Sequence, residues 1–261
     1  MTTDPEIFAH RDGAFAHLVL NRPAKRNALT MAMWRAIPAI LADLTDQPGV
    51  RVLIVRGAGG AFAAGADIAE FERAYASREA ALANQADMQA AMSALEDFPL
   101  PTIAAIGGAC VGGGCGLALC CDVRIAAAGA KFGITPGKLG LAYGVADTRR
   151  LVQAVGLSAA KDILFTGRIL DAEEAMRLSL VDRVVPAETL DETVQTYAST
   201  IAAASGYTAR ATKAILRLIR EGASEDTEKS RAMFADAFEG ADFREGRAAF
   251  LEKRAPDFSK S

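Results

Sequence analysis

The chain reads as an α/β core followed by a helical region. Three observations predict this: short apolar runs alternate with amphipathic segments in the first part of the chain, two glycine-rich segments punctuate that alternation at 61–68 and 107–116, and no strand-like run follows Val185. We place the core at residues 1–185 and the helical region at 186–261. With 261 residues, 51% of them hydrophobic, the chain can bury one sizeable core.

Taken in order, Phe15–Leu20 is an apolar run of strand length, and Met31–Leu44 carries apolar residues at 33, 37, 40, 41 and 44, the spacing of one helical face. Pro38 lies inside that pattern and is expected to kink the helix or sit near a turn of it. Val52–Val55 and Thr102–Ile106 are short runs bounded by charge, glycine or proline, which suits buried strands. Between them Ser77–Asp97 is alanine-rich, with Leu82, Met88, Met92 and Leu95 at roughly helical spacing. The segments 188–204, 208–220, 225–238 and 242–252 read as successive helices separated by glycine or serine.

Charge and cysteine content narrow the function classes. Against 32 acidic residues stand 29 basic ones, too even a balance to hold a polyanion such as DNA or RNA, so nucleic acid is not expected as a partner. The start of the chain lacks the basic and apolar regions of a signal peptide, and Thr102–Leu119 is broken by six glycines, which argues against a membrane span. We therefore expect a cytoplasmic protein. Cys110, Cys115, Cys120 and Cys121 crowd an apolar segment without metal-ligand spacing, and read as buried thiols with no metal site. With His10 and His17 the only histidines, a Ser-His-Asp or Cys-His machine is not expected.

The two glycine segments carry the chemistry. A thioester carbonyl that turns into an enolate or tetrahedral oxyanion needs two convergent donors, and backbone N–H groups at a glycine turn and a helix N-terminus supply them without reorganisation. In AFAAGADI (61–68), Gly65 allows close approach of a ligand, the Ala66 N–H is free to point inward, and Asp67 is placed to cap the next helix. In GGACVGGGCG (107–116), Gly112–Gly114 opens a helix running to Cys121. A glycine turn that merely lets two elements pack is the structural alternative for either segment alone. Arg22, Lys25 and Arg26 form a basic loop suited to phosphate, or equally a solvated turn.

Four motifs, NRPAKRNAL (21–29), AFAAGADI, GGACVGGGCGLALCCD and FGITPGKLGL (132–141), together with the closing DFREGRAAFLEKRAPDF (242–258), resemble the crotonase (enoyl-CoA hydratase/isomerase) superfamily in order and spacing. The resemblance implies a β-β-α spiral core with a C-terminal helical trimerisation region, assembly as a trimer or a hexamer (dimer of trimers), and acyl-CoA thioesters as substrates. Coenzyme A then enters as part of the substrate, with no tightly bound cofactor. By the same resemblance Ala66 and Gly113 supply the oxyanion donors, and Lys25, Arg26, Ala28, Ala64, Asp67 and Ile68 contact the coenzyme. Phe250 and Lys253 match positions that reach the nucleotide, in some members that of a neighbouring subunit.

The chain departs from the family at two positions. A hydratase of this superfamily uses two glutamates, and aligned on the motifs these fall on Gly116 and Pro136, neither of which transfers a proton. Thr135–Tyr143 instead resembles the matching segment of bacterial methylmalonyl-CoA decarboxylases, where the tyrosine orients the departing carboxylate, although those enzymes place a histidine where Ala66 stands. Tyr143 is thus the candidate hydroxyl, or else a core tyrosine. In the segment that follows, Asp147 is expected to be a helix N-cap rather than a base, and Arg149 or Arg150 could meet a substrate carboxylate. Glu70, Glu72 and Tyr75 read as exposed helix positions that could also reach the acyl pocket. The leading expectation is an acyl-CoA enzyme working through a thioester enolate. A malonyl-type acyl-CoA decarboxylase using Tyr143, and a catalytically silent CoA-binding or RNA-binding relative, are the alternatives.

Overall fold

A computed structural model of the chain describes residues 4–45 and 47–258. Residues 1–3, 46 and 259–261, which the two expected regions include, lie outside the described residues.

The strands are β1 (Ile7–Asp12), β2 (Phe15–Leu20), β3 (Val52–Gly57), β4 (Thr102–Ile106), β5 (Ala109–Val111), β6 (Val123–Ala127), β7 (Lys131–Gly133), β8 (Ile169–Asp171) and β9 (Arg183–Val185). The helices are α1 (Met31–Thr45), α2 (Phe71–Ala74), α3 (Arg78–Glu96), α4 (Gly113–Cys120), α5 (Val145–Thr166), α6 (Ala172–Arg177), α7 (Leu190–Ala202), α8 (Gly206–Arg220), α9 (Glu228–Glu239) and α10 (Ala241–Glu252). A six-stranded sheet runs β1-β2-β3-β4-β6-β9, and a three-stranded sheet runs β5-β7-β8. The β1–β2 hairpin is antiparallel with Ile7 opposite Leu20, and every later pairing in the large sheet is parallel.

Parallel strands covered on both faces should be apolar throughout, and β4 (TIAAI) is buried at all five positions. The main core lies between one face of the sheet and α1, α3, α4 and α5, centred on Trp34, Phe62, Leu53 and Ile106. A smaller core on the opposite face seats Leu190, Val194 and Ala198 of α7 on Ile54, Ile103 and Ile125. The apolar stripe read on α1 buries Met33, Ile37, Leu41 and Leu44 as expected. That helix continues through Pro38 without a break. On α3 the reading errs in one place: Leu82 is 56% exposed while Asn84, two positions on, is buried. Helix α5 contains a non-helical step at Gly156, where φ is +76°. All four cysteines are free and buried, and burial pushes the Cys121 thiol up to about 12. None of the described helices is long and apolar enough to cross a membrane.

His17 of β2 is buried and stacks on His10 at 4.7 Å, and its Nδ1 has no hydrogen-bond partner. Burial, then the neighbouring His10 and Arg56 charges, hold its pKa below the usual histidine value. A group whose folded pKa is depressed in this way leaves the unfolded chain binding more protons as pH falls through about 6.5. Stability should therefore be fully present above that pH and decline below it. Denaturant midpoints at pH 7.5 and 5.5 should fall more for the wild type than for His17→Leu.

Candidate active site

The two glycine segments meet. Gly65 has φ +104° and Gly112 has φ +53°, both in the region that suits glycine alone. A Cβ at Gly65 would stand 3.2 Å from the Val111 oxygen and 4.0 Å from the Gly112 Cα, and one at Gly112 would stand 3.7 Å from the Gly65 Cα. No side chain separates the arms. The first arm is held by Leu29 N–H donating to the Gly65 oxygen at 2.7 Å and Asp67 N–H donating to the Leu29 oxygen at 2.9 Å. The second arm is held by Gly112 N–H donating to the Gly133 oxygen at 2.7 Å, and α4 begins at Gly113. In this pattern the Ala66 and Gly113 N–H groups donate to no acceptor among the described residues. Gly113 is packed from behind, since a Cβ there would approach Trp34 Cζ2 to 2.8 Å.

The basic loop lies along the first arm because Asn27 pins it there. This fully buried side chain donates from Nδ2 to the Ala58 and Ala61 oxygens, both at 2.8 Å, and accepts the Arg22 N–H at Oδ1 at 2.9 Å. Sequence reasoning missed Asn27, although its position inside NRPAKRNAL was a usable signal. Ala64 N–H donates to the Arg26 oxygen at 2.9 Å, so Lys25, Arg26, Ala28, Ala64, Asp67 and Ile68 form one surface, on which Lys25, Arg26 and Ile68 are exposed. Arg22 does not join it as a free cation. Its guanidinium is consumed by Glu6 at 2.9 Å, Asp67 at 2.7 Å and the Ala28 oxygen. Asp67 caps the turn at 68–70 by accepting the Ala69 N–H at 3.0 Å, as expected. The hydrogen bond from Arg22 holds its carboxyl below the usual range. Phe250 near the end of α10 and Lys253 at its C-cap are both exposed, Phe250 at 83%.

Beside Ala66 a recess is lined by Leu29, Trp34, Phe71, Tyr75, Asn84 and Met88. Glu70 borders it and is no freely solvated helix charge, since its carboxylate accepts the Met31 N–H at 2.6 Å and pairs with Arg73. Across the second arm, the Tyr143 hydroxyl donates to the Gly112 oxygen at 3.4 Å, a long contact. Burial pushes its pKa well above the usual tyrosine value, so the hydroxyl remains a neutral donor. Pro136 is buried at the start of a single 3-10 turn. Gly116 faces Met92, whose Sδ would stand 3.2 Å from a Cβ added there.

Three expectations for α5 change. Its N-cap is Gly144, and Asp147 lies in the first turn, where its carboxylate accepts Gln89 Nε2 at 2.7 Å and Arg150 at 3.2 Å. Arg149 and Arg150 are not available to a substrate carboxylate, because both are bound to Glu96, at 3.0 and 2.8 Å. Arg220 of α8 reaches the same carboxylate at 2.9 Å. The Arg150 side chain is only 2% exposed, and a buried guanidinium keeps its place only while paired.

The chain is similar to known proteins over nearly its whole length. The family model described as enoyl-CoA hydratase/isomerase matches residues 10–261. The chain is 42% identical over 254 residues to a probable enoyl-CoA hydratase, echA8, of Mycobacterium bovis, covering 97% of both chains. It is 37% identical to a crotonyl-CoA hydratase of Syntrophomonas wolfei, again covering 97% of both. Among solved structures it superposes with a TM-score of 0.95 and 47% identity on an enoyl-CoA hydratase/isomerase family protein from Hyphomonas neptunium, covering 97% of each chain.

Proposed function

Because the chain belongs to the enoyl-CoA hydratase/isomerase family, we propose that it transforms acyl-CoA thioesters through an enolate whose oxygen is received by the Ala66 and Gly113 N–H groups. The observation that carries this is the approach of Gly65 to Gly112, which leaves two unused backbone donors on facing arms. Such donors act before any charge develops and need no reorganisation. Coenzyme A is part of the substrate and no tightly bound cofactor takes part. Its phosphates fit the exposed Lys25 and Arg26, and its pantetheine arm fits the surface formed by Ala28, Ala64, Asp67 and Ile68. A homo-trimer, alone or paired into a hexamer, suits the exposed Phe234, Phe238 and Leu251 of the 186–261 region. In such an assembly Phe250 and Lys253 serve the nucleotide of a neighbouring subunit.

The reaction subtype turns on the missing carboxylates. With Gly116 and Pro136 in place of acids, an enolate reached without water activation is favoured over ordinary hydration. Decarboxylation of a malonyl-type thioester is the second reading, favoured by the Tyr143 hydroxyl at the second arm. Mass spectrometry of thioester products decides between them, with crotonyl-CoA and methylmalonyl-CoA offered separately. Gain of water on crotonyl-CoA establishes hydration. Loss of carbon dioxide from methylmalonyl-CoA alone, abolished in Tyr143→Phe, establishes decarboxylation. Binding without conversion of any acyl-CoA tried would make the chain a silent CoA-binding relative.

A further inference from the structure

We infer that the Asp147 carboxylate moves the substrate proton in this site, an assignment that rests on the enolate reading above. An enolate formed by deprotonation needs an acceptor, and positions 116 and 136 hold none. The side chains gathered around the second arm leave few choices. Tyr143 is kept neutral by burial, and so is the Cys110 thiol. Glu96 is saturated by the three guanidinium groups of Arg149, Arg150 and Arg220. Both histidines are on the β1–β2 hairpin, stacked on each other.

Asp147 is less heavily engaged. Its side chain is 13% exposed, as is that of Glu96, but Asp147 meets one guanidinium group where Glu96 meets three. The carboxylate is oriented from two sides, by Gln89 Nε2 on Oδ2 at 2.7 Å and by Arg150 on Oδ1 at 3.2 Å. Arg150 gives its two other nitrogens to Glu96, at 3.0 and 2.8 Å, so Asp147 is held by a shared cation instead of a bidentate one. Oδ2 lies 3.4 Å from where a Cβ of Gly144 would stand, so the carboxylate packs against the backbone at 144. Gly144 directly follows Tyr143, whose hydroxyl touches the Gly112 oxygen beside the oxyanion donor. The link to the second arm through Tyr143 and Gly144, a partly exposed carboxylate and a fixed orientation are the features that suit proton transfer.

In the proposed step the carboxylate takes the proton from the carbon next to the thioester carbonyl. The C–H electron pair forms the carbon–carbon double bond of the enolate, the carbonyl π pair moves onto oxygen, and the resulting oxyanion is received by the Ala66 and Gly113 N–H groups. The neutral acid then returns the proton to the same carbon or a conjugated one, so no further reactant is consumed.

Butyryl-CoA in D2O isolates this step, because a saturated thioester can exchange its α-protons but cannot be hydrated or isomerised. The wild-type protein should raise the mass of butyryl-CoA by one or two units. Asp147→Asn, of the same shape, should slow exchange about 10²–10⁴-fold. Binding of butyryl-CoA by calorimetry should persist in that variant, and Asp147→Glu should recover part of the rate. An Asn variant exchanging at the wild-type rate overturns the assignment, as does wild-type protein that binds butyryl-CoA without exchanging it. Wild-type protein that binds no acyl-CoA overturns the thioester reading itself, and the assignment with it.

Discussion

Gly113→Pro is expected to lower turnover about 10²–10³-fold, the usual cost of removing one oxyanion donor. Proline is tolerated in the first turn of a helix, and Gly113 is the first residue of α4, so the backbone can accept the change while losing the N–H. The crowding against Trp34 needs its own control. Gly113→Ala introduces the same Cβ, 2.8 Å from Trp34 Cζ2, and keeps the donor. The ratio of the two variants in kcat therefore isolates the hydrogen bond from the packing. Equal rates for folded Pro and Ala variants would remove Gly113 from the oxyanion role.

The largest effect on stability should come from Glu96→Ala. Glu96 closes α3 and receives Arg149, Arg150 and Arg220, of which Arg150 has a side chain only 2% exposed. Without Glu96 the Arg150 guanidinium is left buried with Asp147 as its remaining carboxylate partner. Breaking a buried pair from one side costs about 3–5 kcal/mol, most of it from the charge left behind. Asp97, one residue on and more exposed, also pairs with Arg217 and Arg220, and its removal should cost about 1 kcal/mol or less. Chemical denaturation of both variants checks the contrast. Similar losses for the two would mean that Glu96 contributes as an ordinary surface ion pair.

Legibility followed the range over which each signal acts. Strand β2, helix α1 and strand β4 follow from local periodicity, and the structure places them almost residue for residue. Strands β5, β7, β8 and β9 have three residues each, too few to display a period of two, and edge strand β1 carries polar residues through IFAHRD. The glycine arms and the Asp67 cap were readable because glycine freedom and capping are local properties. Engagement of Arg22 by Asp67 and of Arg150 by Glu96 was not, since those partners lie 45 and 54 residues apart in the chain. Asn84 was missed on α3 for a related reason: its burial depends on the recess it borders, which a helical pattern does not reveal.

Asn27 has a mechanical consequence. Its three hydrogen bonds rivet the exposed cations Lys25 and Arg26 to the strand end that leads into Ala66, making one rigid jaw. On the proposed function that jaw is a ruler, with a phosphate grip at one end and a carbonyl grip at the other. A carrier shorter than coenzyme A would reach one mark or the other, and a misplacement of about 1 Å at the carbonyl is enough to cost roughly 10²-fold in rate. The nucleotide then contributes to catalysis by setting a length, although it stands far from the bond that changes.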